Sequence, residues 1–335
     1  MTTIHNNNDL PRLGFLGLGW IGQHRMQALL EEKACEVVAY ADPSADVRAR
    51  VQALVPQAAA AESLEQLLQH DLDGVVIATP SALHAPQALA ALERGVAVFC
   101  QKPLARTAAE NAAIVEAARK ADRLLGCDLS YRHTEAMRRI RNAVVEGELG
   151  QVYAADLVFH NAYGPDKGWA RNPELSGGGC AIDLGIHLVD LALWTLGFPE
   201  VERVTSRLYA GGQALAAGSD TVEDHAVAQL ELATGAVVRI ACSWNSATGR
   251  DAVIEAHFHG TAGGAAMQNV DGSFYDFAAA RFDGTRRTPL ADPPDAWGGR
   301  AIVDWARRLA GGSGYNASIE NIVQVASVLD RIYGR

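Results

Sequence analysis

The chain has 335 residues, 49% hydrophobic and 20% charged, with a formal net charge of -10 at pH 7. That is soluble globular material, long enough for about two domains, and an acidic chain with no basic block is a poor partner for nucleic acid or an anionic membrane. No apolar run approaches the ~20 residues of a transmembrane helix. The start, MTTIHNNNDLPR, reads as a loose tail and lacks the basic and oily parts of a signal peptide, so a cytosolic protein is expected. The five cysteines, Cys35, Cys100, Cys127, Cys180 and Cys242, contain no C-x-x-C. They read as reduced core thiols rather than disulfides or a zinc site.

In chain order, RLGFLGLG (12–19) is a short apolar run ending in glycines, followed by an amphipathic stretch and by CEVVAYAD (35–42), rich in strand formers. Another helical stretch leads to DGVVIATP (73–80), a helix over 82–94, VAVFC (96–100), a helix over 107–122 and RLLGCDLS (123–130). Apolar strands separated by helices predict a parallel sheet covered on both faces. The first loop reads Gly17-Leu18-Gly19-Trp20-Ile21-Gly22, which is G-x-G-x-x-G between a strand and a helix. Its glycines permit a tight turn, close approach to a pyrophosphate and close helix packing, and the helix N-terminus offers free N–H groups to the phosphates. Asp42 closes the second strand, where a carboxylate accepts hydrogen bonds from an adenosine ribose and repels a 2′-phosphate. NAD is therefore the expected cofactor, with NADP left open.

From Gly150 the pattern changes. QVYAADLVFHNAY (151–163) alternates as a strand does, HAVAQLELATGAVVRIACSW (225–244) reads as two strands joined through Thr234-Gly235, and DAVIEAHFHGTAGGAAM (251–267) as strand, glycine turn and strand. Short turns between strands predict a largely antiparallel sheet, open on one face. A helix over about 181–196 lies against it, and another helix runs from Ser318 to Ile332. The expected architecture is α/β. A doubly wound Rossmann domain spans 10–130, and an α+β domain with an open, mostly antiparallel sheet spans 131–335.

This order of motifs resembles the Gfo/Idh/MocA family, the glucose-fructose oxidoreductase and inositol dehydrogenase group. The resemblance is carried by GFLGLGWIG (14–22), ATPSALHAPQALAALERGVAVFCQKPLA (78–105) and GGGCAIDLGIHLVDLALWTLG (177–197), and more weakly by EDHAVAQLELATGAVVRI (223–240) and HGTAGG (259–264). It implies NAD(P)-dependent oxidation or reduction of sugars, cyclitols or related polyols, and an open sheet used in oligomer contacts, hence a homodimer or homotetramer. The family's E-K-P falls on Gln101-Lys102-Pro103, so the lysine matches and the glutamate does not. Its T-P-N-x-x-H falls on Thr79, Pro80, Ser81 and His84, which with Gln101 and Lys102 would touch the cofactor's ribose and nicotinamide side. Its D-x-x-x-H falls on Asp183 and His187. Asp and His four apart can bind zinc, but no clear third ligand follows at motif spacing and hydride chemistry already explains both residues, so no metal is expected.

The chemistry agrees with those residue types. Oxidising a secondary alcohol sends a hydride to the nicotinamide and a proton to a base, and histidine titrates near working pH without perturbation. Asp183 and His187, four apart, share a helix face. A cation such as Lys102 after a parallel strand stabilises alkoxide character and disfavours the imidazolium. Gly177 to Gly179 are expected to let the chain approach the cofactor. The bland alternatives are a helix-anchoring Asp183 and a satisfied core histidine. Asp190 reads as facing a partner or water. The loop 162–179 offers Tyr163, Asp166, Lys167, Trp169 and Arg171 to a polyhydroxylated substrate or to solvent, and Tyr131 and Arg132 line the same site or pack the domains together. Two other functions remain open: an NAD-dependent glycosidase working by transient oxidation, and a non-catalytic cofactor-binding regulator, against which Lys102, Asp183 and His187 argue.

Overall fold

The computed structural model describes residues 10–216 and 219–335; most of the expected N-terminal tail lies outside the described residues. The chain divides into two compact units. The first runs through Ala105 and includes Ala109–Asp128 and Gly299–Glu320; the second comprises Arg106–Ala108, Leu129–Gly298 and Asn321–Arg335.

The first unit alternates β1 (Arg12–Leu16), α1 (Trp20–Glu31), β2 (Glu36–Ala41), α2 (Ala45–Leu54), β3 (Ala59–Ala61), α3 (Leu64–Leu67), β4 (Gly74–Ile77), α4 (His84–Glu93), β5 (Ala97–Cys100), α5 (Ala108–Ala121) and β6 (Leu125–Cys127). The strands pair in parallel in the order β3-β2-β1-β4-β5-β6. This is the doubly wound order, whose reversal between β1 and β4 opens a crevice at the strands' carboxyl ends. β4 and β5 are buried along their whole length, as expected of strands covered on both faces.

The second unit holds α6 (Glu135–Val145), β7 (Val152–Asn161), α7 (Pro173–Ser176), α8 (Ile186–Thr195), β8 (Val201–Ala210), β9 (Gln213–Ala214), β10 (His225–Leu232), β11 (Val237–Ser243), β12 (Ala252–Gly260), β13 (Gly264–Asn269), β14 (Phe277–Asp283) and β15 (Arg286–Ala291). The sheet order is β15-β14-β13-β12-β7-β11-β10-β8-β9, antiparallel except where β7 meets β11. The helices α6, α8 and the C-terminal α10 (Asn321–Tyr333) pack on its strands. Burial alternates residue by residue along β7, β10 and β12, so one face is core and the other is not.

One expectation needs correction. The helix α9 (Arg300–Ala310) does not pack with the rest of 131–335. It returns to the first unit, where Trp305 meets Phe99 of β5 with ring centroids 5.6 Å apart and Ile302 and Ala306 join the hydrophobic core. Its apolar residues recur at helical spacing on one side, and that stripe is what the parallel sheet buries.

Candidate active site

The first unit carries the candidate dinucleotide residues. Gly17 turns the chain with φ +81°, and a Cβ there would lie 2.7 Å from the Ala78 carbonyl. A Cβ on Gly22 would meet the Gly17 carbonyl at 2.3 Å, so α1 lies hard against the loop. Gly19 is the N-cap of α1, with no side-chain cap and no acid in the first turn. These N–H groups lack a protein side chain to satisfy them, which fits a pyrophosphate. Trp20 is 62% exposed and stacks on His24, centroids 5.4 Å apart, while Ile21 is half-buried. The Asp42 carboxylate accepts from the Leu18 N–H at 2.6 Å and the Ser44 N–H at 2.9 Å. It therefore ties the glycine loop to the end of β2.

Thr79 donates to Gln87 at 2.6 Å. Pro80 leads into a 3₁₀ turn that begins at the buried Ser81. His84 is buried, its ring bridging the carbonyls of Thr79 at 2.8 Å and Pro103 at 2.7 Å, and burial lowers its pKa. It works as a staple between two loops, one of which carries Lys102. Lys102 follows β5 and is half-buried. Gln101 is buried and its amide donates to Asp128, which also pairs with Arg25 at 2.6 Å.

The second unit carries the other candidate residues. Ala181–Gly185 form a π-helical turn that runs into α8, a form that recurs at functional sites. Asp183 is on that turn and His187 in the first turn of α8. The Asp183 carboxylate accepts from the Trp244 indole N–H at 3.1 Å. His187 is 6% exposed and packs on Tyr131, centroids 4.7 Å apart. Burial pushes the Tyr131 phenol upward, and Asp183 and Tyr275 add to the shift. Tyr131 also meets Phe159, Phe277 and Trp297, so it is packed as part of an aromatic wall.

Gly177 to Gly179 are explained by the second unit itself. A Cβ on Gly178 would fall 2.1 Å from the Tyr333 hydroxyl, and one on Gly179 would fall 1.9 Å from the Glu223 carbonyl. Buried Glu223 accepts from the N–H groups of Gly179 at 2.9 Å and Ala181 at 2.8 Å, and from the Tyr333 hydroxyl at 2.8 Å. Asp190 faces neither partner nor water: it is buried and takes a bidentate contact from Arg132, whose guanidinium also lies over Trp194 and Phe198. Arg132 thus braces α8 from behind. Tyr163 is exposed with its ring 6.1 Å from Phe274, Trp169 is half-buried on a short 3₁₀ turn, and exposed Arg171 lies against Gly164. Glu223, Tyr333, Trp244, Tyr275 and Trp297 escaped the sequence reading. Glu223 alone had a signal, as the first residue of the stretch 223–240 that carries the resemblance. Among the described residues no group of three His, Cys, Asp or Glu side chains is arranged to hold a metal.

Residues 12–129 match the model of the oxidoreductase family with NAD-binding Rossmann fold, and residues 137–266 match the GFO/IDH/MocA C-terminal domain. The chain belongs to the GFO/IDH/MocA family. It is an oxidoreductase with an NAD-binding Rossmann domain. It is 30% identical to a 1,5-anhydro-D-fructose reductase of Ensifer adhaerens over 78% of this chain and 77% of that one. It is 25% identical to inositol 2-dehydrogenase 4 of Saccharopolyspora erythraea over 89% and 91%. In fold it matches a levoglucosan dehydrogenase solved with NADH and levoglucosan, with TM-score 0.81, 23% identity and coverage of 97% and 96%.

Proposed function

We propose that this oxidoreductase transfers a hydride between NAD(H) and a secondary alcohol or ketone of a sugar, cyclitol or related polyol. The observation that carries the reading is His187, nearly buried against Tyr131 one turn from an Asp183 held by Trp244. A proton-transfer group and an acceptor for hydroxyls are thereby presented together. The named substrates of the relatives, an anhydro sugar and inositol, support the polyol class.

When bound, the nicotinamide supplies the hydride acceptor or donor. His187 takes the hydroxyl proton in oxidation and returns it in reduction. Lys102 hydrogen-bonds the reacting oxygen and favours its alkoxide character. Asp183 accepts from a neighbouring substrate hydroxyl, and Tyr163, Trp169 and Arg171 bind the remainder. Gly17, Gly19, Trp20, Ile21 and Gly22 take the pyrophosphate, and Thr79, Pro80, Ser81 and Gln101 the nicotinamide ribose. Asp42 binds the adenosine ribose and favours NAD over NADP, since its carboxylate repels a 2′-phosphate. The protein works as a homo-oligomer.

The test is a panel of sugars, inositols and diols, run with NAD and with NADP and followed by absorbance of the reduced cofactor. On a substrate the wild type turns over, His187→Ala is expected to lower kcat about 10²–10⁴-fold and to lose the pH limb of the base. Lys102→Ala should lose as much, and the double variant little more, because groups acting as one unit are non-additive. Near-normal kcat in His187→Ala, with its pH limb intact, would return His187 to the core-histidine alternative.

A further inference from the structure

The uncovered face of the second unit's sheet carries His160, His225, His257 and His259, none of which the hydride chemistry uses. The register places His160 of β7 and His225 of β10 in one row, on either side of Ser243 of β11. Their rings close over that serine. The centroids are 5.8 Å apart with planes 16° from parallel, His160 Nδ1 lies 2.7 Å from the Ser243 hydroxyl, and Ser243 is buried. The row ends at Val253 of β12 and at Tyr209 of β8, whose ring meets His225 edge-on. Two imidazoles this close coexist when neutral and repel when both are charged. Burial, and then His225, holds His160 below its ordinary value of 6.5, against an upward pull from Glu255.

The neighbouring row indicates how a second copy fits. Glu255, Val158, Ala241, Val227 and Arg207 follow one another across β12, β7, β11, β10 and β8. A carboxylate thus ends an apolar strip on one side and a guanidinium on the other. A two-fold axis along β11 reverses the row and sets each Glu255 opposite the partner copy's Arg207. An axis across the strands would set like charges together. The axis along β11 also reverses the histidine row, so His160 of each copy faces the partner copy's His225.

We propose that self-association through this face is proton-linked: His160 and His225 of two copies gather as four neutral imidazoles in one layer, and acid separates the copies. The proposal rests on the homo-oligomer reading given above. An imidazole enclosed between copies loses solvation, which disfavours its charged form. Separate copies then bind more protons, and falling pH favours them by up to roughly tenfold in Kd per pH unit for each proton taken up. His257 and His259 act in the same direction by another route. They lie 3.2 Å from Glu255 and Asp156 respectively, so their protonation offsets those carboxylates and weakens the pull of Glu255 on Arg207. Arg239 pairs with Asp156 and Arg203 with Glu231 within one copy.

The test is light scattering of the full chain over a concentration series. The self-association Kd should rise about 100-fold or more between about pH 8 and about pH 5.5. The rise should be reversible, with cooperative thermal unfolding kept at both pH values. His160→Gln with His225→Gln should hold the rise below about tenfold, because neither side chain can take a proton. His257→Gln with His259→Gln should keep most of it. Should the first pair fail to fold, the two single variants decide, each expected to show a smaller rise than wild type. An unchanged wild-type Kd, a full rise in the His160 and His225 variants, or loss of cooperative unfolding in place of clean dissociation overturns the proposal. A single-chain mass at both pH values would overturn the oligomer reading and this proposal with it, whereas an assembled mass at both overturns this proposal alone.

Discussion

Gln101 stands where the resemblance sets the glutamate of E-K-P, and a buried carboxylate lies beside it. Asp128, at the end of β6, already places a carboxylate in that buried spot, where it accepts from both the Gln101 amide and the Arg25 guanidinium. A glutamate at 101 would put two buried carboxylates against one guanidinium, and buried charge is tolerated only when paired. Gln101→Glu is therefore expected to destabilise the first unit by about 2–4 kcal/mol. Adding Asp128→Asn moves the single carboxylate to position 101 and should recover most of the loss. A double-mutant cycle by urea unfolding reads this coupling; additive losses would show that the two positions do not share one charge. Gln101 was legible in the sequence as a departure from E-K-P, but its contact with Asp128 was not, because position 128 is 27 residues downstream and carries no motif of its own.

At the scale of elements, the α8 segment is anchored at its start as well as braced at Asp190. Glu223 takes two backbone N–H groups that open the π-helical turn and the hydroxyl of Tyr333 from α10. Tyr333→Phe removes a hydrogen bond to this buried carboxyl and should cost about 1.5–3 kcal/mol. It should also lower kcat, since Asp183 and His187 inherit their placement from that turn; unchanged kcat with lowered stability would leave Glu223 a purely structural anchor. Burial pushes the Glu223 carboxyl above the ordinary glutamate value of 4.5, and the donors pull it partly back. The folded chain then holds this proton to higher pH than the unfolded chain. The residue's contribution to stability accordingly falls as pH rises from about 4.5 through the raised value. A Tm-against-pH curve for Glu223→Gln should lack that decline. The helix itself, the strands that line it and the glycine loop were all readable from periodicity and turn residues. Elements read poorly were those whose polar positions hide the pattern: β8 carries Glu202, Arg203 and Arg207, β15 carries Pro289, and α9 owes its place to a sheet far earlier in the chain.

For the whole molecule, the uncovered face of the nine-stranded sheet is the feature that demands an occupant. The register sets Glu255, Val158, Ala241, Val227 and Arg207 in one row across β12, β7, β11, β10 and β8. The middle of that row is apolar, and a shallow cavity of about 810 Å³ opens over it. The flanking row pairs Asp156 with Arg239 at 2.5 Å, which satisfies those charges within one copy. The proposed homo-oligomer would use this face, since an apolar strip with a polar border suits association and a second copy offers the matching strip by symmetry. Light scattering at micromolar concentration should return a multiple of 35.6 kDa. Val227→Arg sets an unpaired charge in the strip's centre, and its desolvation on association should shift the mass to that of one chain. Each unit has its own core, so this variant should keep its cooperative unfolding while dissociating. A wild-type mass of one chain, or a Val227→Arg variant that assembles as the wild type does, would place the oligomer contact on some other surface or remove it altogether.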